Sequence, residues 1–468
     1  MSITVSISTN PATYSPVNKT DVWFVFNSAS YSLADFKYVA QVYELDGNSN
    51  VSDYLGQYKF PPRPVNGDGV YSPAKLLKSV VSYTLSPTAS LITPDLNHSK
   101  QYSLNYGYQY SPNLSFVDTF VAGTSVGLTF STQHNFLTGD IVNVNKTNKN
   151  INSYYDGQST IISVGSSFSF VIDKVVGITS SVETGIITDV ISVRDQSSDF
   201  WAYNGKRQYE EINIDFGDTY VSSGLTSSGT KSFLENYSGY KPIFLGQYET
   251  STIMTERIWD YEWNIAFYDS NLTLISDADF NTYFATQSGA LSFTIPTGTK
   301  NHEDMGFSFS SNFKYYNITG RVGPNTIYTL WREIVDNCSI YNNYRVAYLN
   351  SLGSFEYINF NYDSKKSYNI ERTEYTKTLP YNYVLGDRGR TILGTKIEQN
   401  YILNSDWLTE YQYQYYLDIL KSDEVYIVDT IGNKYPIIVN DSTYEFKTYK
   451  RDKLFALVLN VTSAYEIK

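Results

Sequence analysis

The chain has 468 residues, a net charge of −12, three His, one Cys and three Met, set against 45 Tyr and 25 Phe. That length exceeds what one hydrophobic core serves, so about three or four domains are expected. The acidic balance argues against affinity for nucleic acid or an anionic membrane, because phosphate contacts need clustered Lys and Arg.

No window approaches the ~18 consecutive apolar residues of a membrane-spanning helix, and a lone Cys338 allows no intrachain disulfide. The opening MSITVSISTN has neither a basic nor an apolar signal region, so synthesis in a cytosol is expected. Tyr forms strands and tolerates a half-wet face. Its excess favours β structure with extended interfaces.

Residues 1–113 read as a β-sandwich. Ile3, Val5 and Ile7 alternate with polar residues, 21–28 (DVWFVFNS) is mostly apolar, and 36–45 (FKYVAQVYEL) alternates up to Asp46-Gly47-Asn48. One short helix is expected after Ser72 as N-cap and Pro73 at the first position, with Leu76, Leu77, Val80 and Val81 as its buried stripe. Residues 102–110 (YSLNYGYQY) resume a strand.

Between 114 and 193 the texture changes to Val, Ile, Gly, Ser and Thr with few Tyr. Short strands with tight Gly turns predict a small β-barrel or sandwich. The Tyr-rich style returns at 194–220, where Asn204-Gly205 is a two-residue hairpin signal between 200–203 and 208–216. The block 114–193 therefore reads as an insertion into a sandwich made of 1–113 plus 194–220, an arrangement that exposed loop tips permit.

After the Gly- and Ser-rich 222–230, a second sandwich is expected over 231–380, with strands near 243–245, 263–268, 290–295 and 326–334. Within it, 344–349 (YRVAYL) turns at Asn350-Ser351-Leu352-Gly353 and returns as 355–360 (FEYINF), a hairpin. Tyr368, Ile370, Arg372 and Tyr375 suggest a third strand beside it. Residues 381–468 form a last module: a strand over 391–403, then a helix with a Thr409–Gln412 capping box and an apolar face of Tyr413, Tyr416, Leu417 and Leu420. Strands at 425–428, 435–439, 444–449 and 454–461 complete an antiparallel sheet. The fold class is mainly β and multidomain: Ig-like β-sandwiches, an inserted small β-barrel or sandwich, and a C-terminal helix-plus-antiparallel-sheet module.

Signals of chemistry are weak. His98, His134 and His302 lie far apart without partners at metal or triad spacing. His302-Glu303-Asp304 reads as a loop of solvated charges, and His134 as a strand-edge residue. Asp277/Asp279 and Glu371/Glu374 could mimic glycosidase carboxylates, but paired acids arise by chance in an acidic chain. Cys338 reads as an idle or buried thiol. No phosphate-loop, nucleophile-elbow, zinc-helix or EF-hand motif occurs. Trp23, Trp201, Trp259, Trp263, Trp331 and Trp407 could stack on sugars, with core packing the favoured reading for most. No catalytic, cofactor-binding or metal-binding residue is assigned, and no cofactor is expected.

The runs RVAYLNSLGSFEYINF…KKSYNIERTEYTK, LNSDWLTEYQYQYYLDILKSDEVYIV and YPIIVNDSTYEFKTYKRDKLFALVLNVTSAYE resemble virion structural proteins of tailed phages, including crAss-like and other Bacteroidetes-infecting phages. AYNGKRQYEEI and FLENYSGYKPIFLGQYETSTI are similar in the same way. The resemblance implies Ig-like sandwiches followed by a tail-tube or hub-like module, and it covers roughly everything outside the insert, which is similar to the small β-domains decorating phage tails and fibres. It carries no catalytic residues.

The expected function is accordingly a non-enzymatic, oligomeric building block of the tail, neck or adsorption apparatus, located in the virion and made in the bacterial host cytoplasm. Its partners would be further copies and portal, ring, tail or fibre subunits. Specific nucleic-acid binding and membrane insertion are not expected. Arg388, Arg390, Lys447, Lys450, Arg451 and Lys453 are the candidate intersubunit ion-pair residues, with ordinary surface charge as the alternative for each. A second reading is a fibre or receptor-binding protein whose 114–193 domain grips a host surface glycan, and a third is a polysaccharide depolymerase.

Overall fold

The structure is a computed structural model, described for residues 3–46, 48–122, 125–146, 157–175, 184–206, 216–223, 229–256, 258, 261–280, 291–336, 340–379, 381–384, 386, 389–440 and 455–465. It is mainly β, with several sheets and a closed six-stranded barrel. Two compact units divide the chain, residues 1–81 with 100–203, and residues 82–99 with 204–468.

In the first unit, strands Ser6–Thr9, Phe24–Asn27 and Gly69–Tyr71 form one small sheet. Phe24 and Phe26 of that sheet pack with Tyr38, Ala40, Val42, Tyr102, Leu104 and Phe200 of a larger one, a sandwich core built by alternation along each strand. The helix is shorter than predicted, Ala74–Lys78, with Pro73 at its N-cap and Leu77 buried.

The hairpin expected around Asn204-Gly205 is not formed by 200–203. That strand, Phe200–Tyr203, lies between Ser99–Tyr110 and Tyr14–Pro16, so both its hydrogen-bonding edges are taken. Of its expected partner strand, 208–215 lies outside the described residues, and residue 216 begins the helix Phe216–Tyr220.

The barrel occupies the Val- and Ile-rich stretch. Leu114–Ala122 pairs with Ser125–Phe130, which pairs with Ser169–Val175, then Gly157–Ser166, Ile141–Lys146 and Gly185–Gln196. Gly185–Ile187 returns to Leu114–Phe116 and closes the ring, which leaves no free edge. Phe116, Leu128, Phe130, Phe136, Phe170 and Ile172 fill it. The Gly185–Gln196 strand runs on out of the barrel and pairs with Asn105–Tyr110 of the sandwich sheet.

Among its described residues the second unit has three sheets. Val221–Ser222, Thr250–Thr255, Ser292–Pro296 and Thr93–Pro94 form a four-stranded sheet. Lys241–Phe244, Asn325–Val335, Tyr315–Val322, Glu262–Tyr268 and Leu274–Asp279 form a five-stranded one. Ile253, Phe293 and Ile295 of the former meet Trp263, Ile265, Tyr316 and Tyr328 of the latter in the core between them.

Every residue of Thr250–Thr255 is buried, although the sequence is TSTIMT. Alternation explains it: Ile253 enters that core, while Thr250 and Thr252 on the opposite face bond the Tyr357, Tyr83 and Ser354 hydroxyls at 3.1, 2.8 and 3.0 Å. The four-stranded sheet is thus a middle layer, and its outer face turns to the third sheet.

That third sheet has seven strands in the order Phe355–Phe360, Tyr344–Leu349, Val425–Val428, Lys434–Val439, Val458–Ser463, Arg390–Asn404, Lys365–Thr376. The 344–360 hairpin forms as read, Tyr344 opposite Phe360 and Leu349 opposite Phe355. Gly353 sits at φ 88° in its loop, a left-handed conformation that suits glycine. The third strand predicted beside this hairpin lies instead at the far edge of the same sheet, paired with Arg390–Asn404. The expected boundary at 380 falls between those two paired strands.

The capping box at Thr409 and Gln412 is present and starts the helix Glu410–Tyr416, continued as a 3-10 turn over Leu417–Lys421. Tyr413, Tyr416 and Ile419 pack with Val346, Ile358, Leu403, Ile427 and Leu459 on one face of the sheet. The strand expected at 444–449 lies outside the described residues, and the last strand is Val458–Ser463.

Candidate functional site

The second unit carries a buried ionic junction, an exposed ribbon and a cleft at the ribbon's base. The junction gathers one charged residue from each of several elements. Lys241 and Arg332 are directly opposite each other in the parallel pair of the five-stranded sheet. Glu249 immediately precedes the middle-layer strand, and Arg345 lies on Tyr344–Leu349 of the seven-stranded sheet.

Glu249 is 1% exposed and holds all three cations. Arg332 Nε donates to its Oε1 at 2.8 Å, Arg345 donates to Oε2, and Lys241 Nζ stands 3.4 Å from Oε1. Arg332 Nη2 also donates to Glu235 Oε1 at 2.6 Å, and Arg345 Nη1 donates to Gln247 and, at 3.3 Å, to Asn359 Oδ1. Burial alone would lift the Glu249 pKa, but Arg332, Lys241 and Arg345 outweigh it and hold it at about 2. One carboxylate therefore ties three sheets together.

A second buried acid has the opposite character. Glu356 lies on the other face of Phe355–Phe360, directly opposite Tyr348. Its Oε1 accepts from the Asn236 backbone and from Asn350 Nδ2, both at 2.6 Å. Burial pushes its pKa up; Lys241 opposes that and Glu235 adds to it.

The ribbon is the far edge of the seven-stranded sheet. Among the described residues, Arg390–Asn404 pairs with the rest of the sheet only through Asn400–Asn404, opposite Val458–Thr462. Before Asn400 it pairs, among the described residues, only with Lys365–Thr376, so these two strands run on together for about 30 Å at the usual rise per residue. All twelve residues of Lys365–Thr376 are exposed, Tyr368, Ile370 and Tyr375 among them. Ile392 and Leu393 on the companion strand are exposed too, Leu393 at 72%. A two-stranded ribbon with apolar side chains in water is marginal by itself and presents a row of unpaired backbone donors and acceptors.

At the ribbon's base a cleft of about 740 Å³ opens. Tyr344, Tyr401, Tyr435 and Tyr465 line it, with Gln247, Asn343 and Arg345 among its polar groups. Lys366 also borders it, its ammonium 5.6 Å from the ring centres of Tyr368 and Tyr401.

Of the residues singled out in the sequence, Arg390 lies on the ribbon, 80% exposed, 3.7 Å from Glu374. Arg388, Lys447, Lys450, Arg451 and Lys453 lie outside the described residues, as do Cys338 and Trp259. His302 is not in a solvated loop: it sits in the helix Thr299–Asp304, fully buried against Phe280, Phe307 and Tyr316, and burial lowers its pKa to about 3. His134 is no edge residue either, since its ring packs on Phe130, Phe136 and Phe170. Trp263 is core as expected, but Trp23 and Trp407 are 49% and 65% exposed. Asp277 and Asp279 flank the Asn264 amide on an exposed strand, and Glu371 and Glu374 stand on the ribbon.

The junction went unread in the sequence, although one signal was there. Arg345 and Glu356 interrupt otherwise apolar strands, the mark of a charge that must be paired inside. Among the described residues, no group of three or more His, Cys, Asp or Glu is placed to hold a metal, and no helix is long and apolar enough to cross a membrane.

No family model and no curated protein matches the chain. Among solved structures it is similar to dimeric latent PorU from Porphyromonas gingivalis, at 8% identity over 71% of this chain and 34% of that one, with a TM-score of 0.14. It is also similar to a three-Ig segment of titin, at 8% identity over 71% of this chain and 98% of that one, with a TM-score of 0.11. The chain spans about a third of the PorU chain's length. Scores this low bear on neither fold nor function.

Proposed function

We propose that the chain is a virion structural subunit of a tailed bacteriophage, part of the tail, neck or adsorption apparatus, working by protein–protein assembly rather than catalysis. The observation that supports this reading is the ribbon: a long sheet edge that no described strand pairs with, wholly exposed and carrying Tyr368, Ile370 and Tyr375, is a surface suited to a neighbour. Further copies and other virion proteins are the partners, and assembly takes place in the bacterial host cytoplasm. Mass photometry of the purified chain is expected to give a discrete oligomer. A chain that stays monomeric at all concentrations, and that cross-links to no protein in its native particle, overturns the proposal.

The cleft favours a second reading, capture of a host surface glycan. Tyrosine rings stack on sugar C–H faces, while side-chain amides bond hydroxyls. The site is then in the second unit, not in the barrel at 114–193. Glycan-array binding by the full chain that Tyr401→Ala removes would support it; binding that the substitution leaves unchanged would place the glycan elsewhere.

A further inference from the structure

We infer that the ribbon's partner is a second copy of this chain, joined edge to edge along Lys365–Thr376 about a two-fold axis through Ile370. The inference rests on the assembly reading and names its partner and register. Two copies of one strand that extend a sheet antiparallel are related by an axis perpendicular to that sheet. Such an axis keeps every side chain on its own face, so each residue meets one an even number of positions away. The axis must pass through a residue, which meets itself. Only a few centres pair most of a twelve-residue strand.

Centred on Ile370, the match is complementary throughout. On one face Ile370 meets its own copy, Tyr368 meets Arg372, and Lys366 meets Glu374. These are an apolar pair, a ring with a guanidinium, and an ammonium with a carboxylate. On the other face Asn369 meets Glu371, Ser367 meets Thr373, and Lys365 meets Tyr375. No like charges oppose.

The other centres that pair at least nine of the twelve residues fail. An axis on Asn369 sets Lys366 against Arg372, one on Glu371 sets two Glu371 together, and one on Arg372 sets two Arg372 together. Like charges directly opposite are destabilising.

The strand is ready for this. Its one register irregularity, between Thr373 and Glu374, places the extra residue, Leu393, on the companion strand, so alternation along Lys365–Thr376 is unbroken. The Arg390–Glu374 pair is exposed, at 80% and 48%, and is the weak kind of ion pair that a second copy's Lys366 replaces. Tyr368 and Ile370, at 54% and 48% exposed, lose water on pairing.

The test uses the full chain with Cys338→Ser and single cysteines on the ribbon. Under mild oxidation Ile370→Cys should form a disulfide-linked homodimer at least about tenfold faster than Asn369→Cys or Glu371→Cys. A mixture of Lys366→Cys and Glu374→Cys should form the mixed dimer. In the unmodified cysteine background, Glu374→Lys should weaken dimerisation about tenfold by mass photometry, and adding Lys366→Glu should restore it. Self-linkage fastest at Asn369→Cys or Glu371→Cys overturns the register. An oligomer that forms but links at none of these positions overturns the two-fold contact and leaves the assembly reading standing; a monomer throughout overturns the two-fold contact, and it overturns the assembly reading as well when the chain also cross-links to no protein in its native particle.

Discussion

The two edges of the seven-stranded sheet are made from similar residues and meet opposite fates. Phe355–Phe360 (FEYINF) is buried at every position, and Lys365–Thr376 (KKSYNIERTEYT) is exposed at every position. Both alternate, both are aromatic and both carry charge, so composition alone does not separate them. What separates them is cover. Near the first edge, Leu234 O and Asn236 N bond Asn350 and Glu356, and the middle layer's Thr250 bonds Tyr357. Nothing among the described residues pairs beyond the second. An edge can be made safe by covering it or by charging it. This sheet does one at each side, and the charged side stays open to a matched neighbour.

The comparison breaks most severely at Glu249. Removing its charge takes the ion-pair partner from Arg345 and Lys241 in the interior and leaves Arg332 with Glu235 alone, so Glu249→Gln is expected to lose about 3–5 kcal/mol of stability. Thermal unfolding at pH 7 measures it, and an unchanged Tm would mean that the junction holds nothing together.

Acid should act at the same point. Because the folded-state pKa of Glu249 is held near 2, below its ordinary 4.5, its contribution is full above about 4.5 and is lost as pH falls toward 2. Denaturant midpoints from pH 5 to pH 2.5 should fall more steeply in the wild type than in Glu249→Gln; parallel curves would contradict the assignment.

Glu356 sharpens the contrast with the opposite sign. Its pKa is raised, so its contribution is present below the ordinary carboxylate range and is lost as pH rises through the elevated value. Glu356→Gln should therefore leave stability at pH 8 unchanged or raise it by about 1 kcal/mol. A loss comparable to that of Glu249→Gln would show that its charge is needed.

The smallest effect belongs to the exposed edge. Ile370→Lys should alter the stability of the isolated chain by no more than ~0.5 kcal/mol while changing its assembly. A large drop in the monomer's Tm would mean that the ribbon packs on its own chain.

These contrasts also mark how far the sequence could be read. Local patterns located the 344–360 hairpin, the helix with its Thr409 cap and the Val425–Val428 strand, because each is specified within a few residues of itself. Pairing across distance was not legible. Residues 368–375 looked like a neighbour of that hairpin, but Arg390–Asn404 paired with them, and no local pattern encodes which of several compatible strands will be adjacent. The junction was missed for the same reason. Lys241, Glu249, Arg332 and Arg345 are scattered over a hundred residues, and only the fold brings their charges within bonding distance. His302 was misread because its neighbours Glu303 and Asp304 are polar, while helical spacing turns the imidazole inward from them.

The way the barrel joins its sandwich has an engineering consequence. Tyr110 and Val190, where the chain enters and leaves, stand directly opposite each other in adjacent antiparallel strands. Removing residues 111–189 and bridging the gap with Asn-Gly would turn the junction into an ordinary hairpin with its register intact. The barrel is thereby a detachable cassette, and the same socket would accept a different cargo domain whose own termini lie one strand spacing apart.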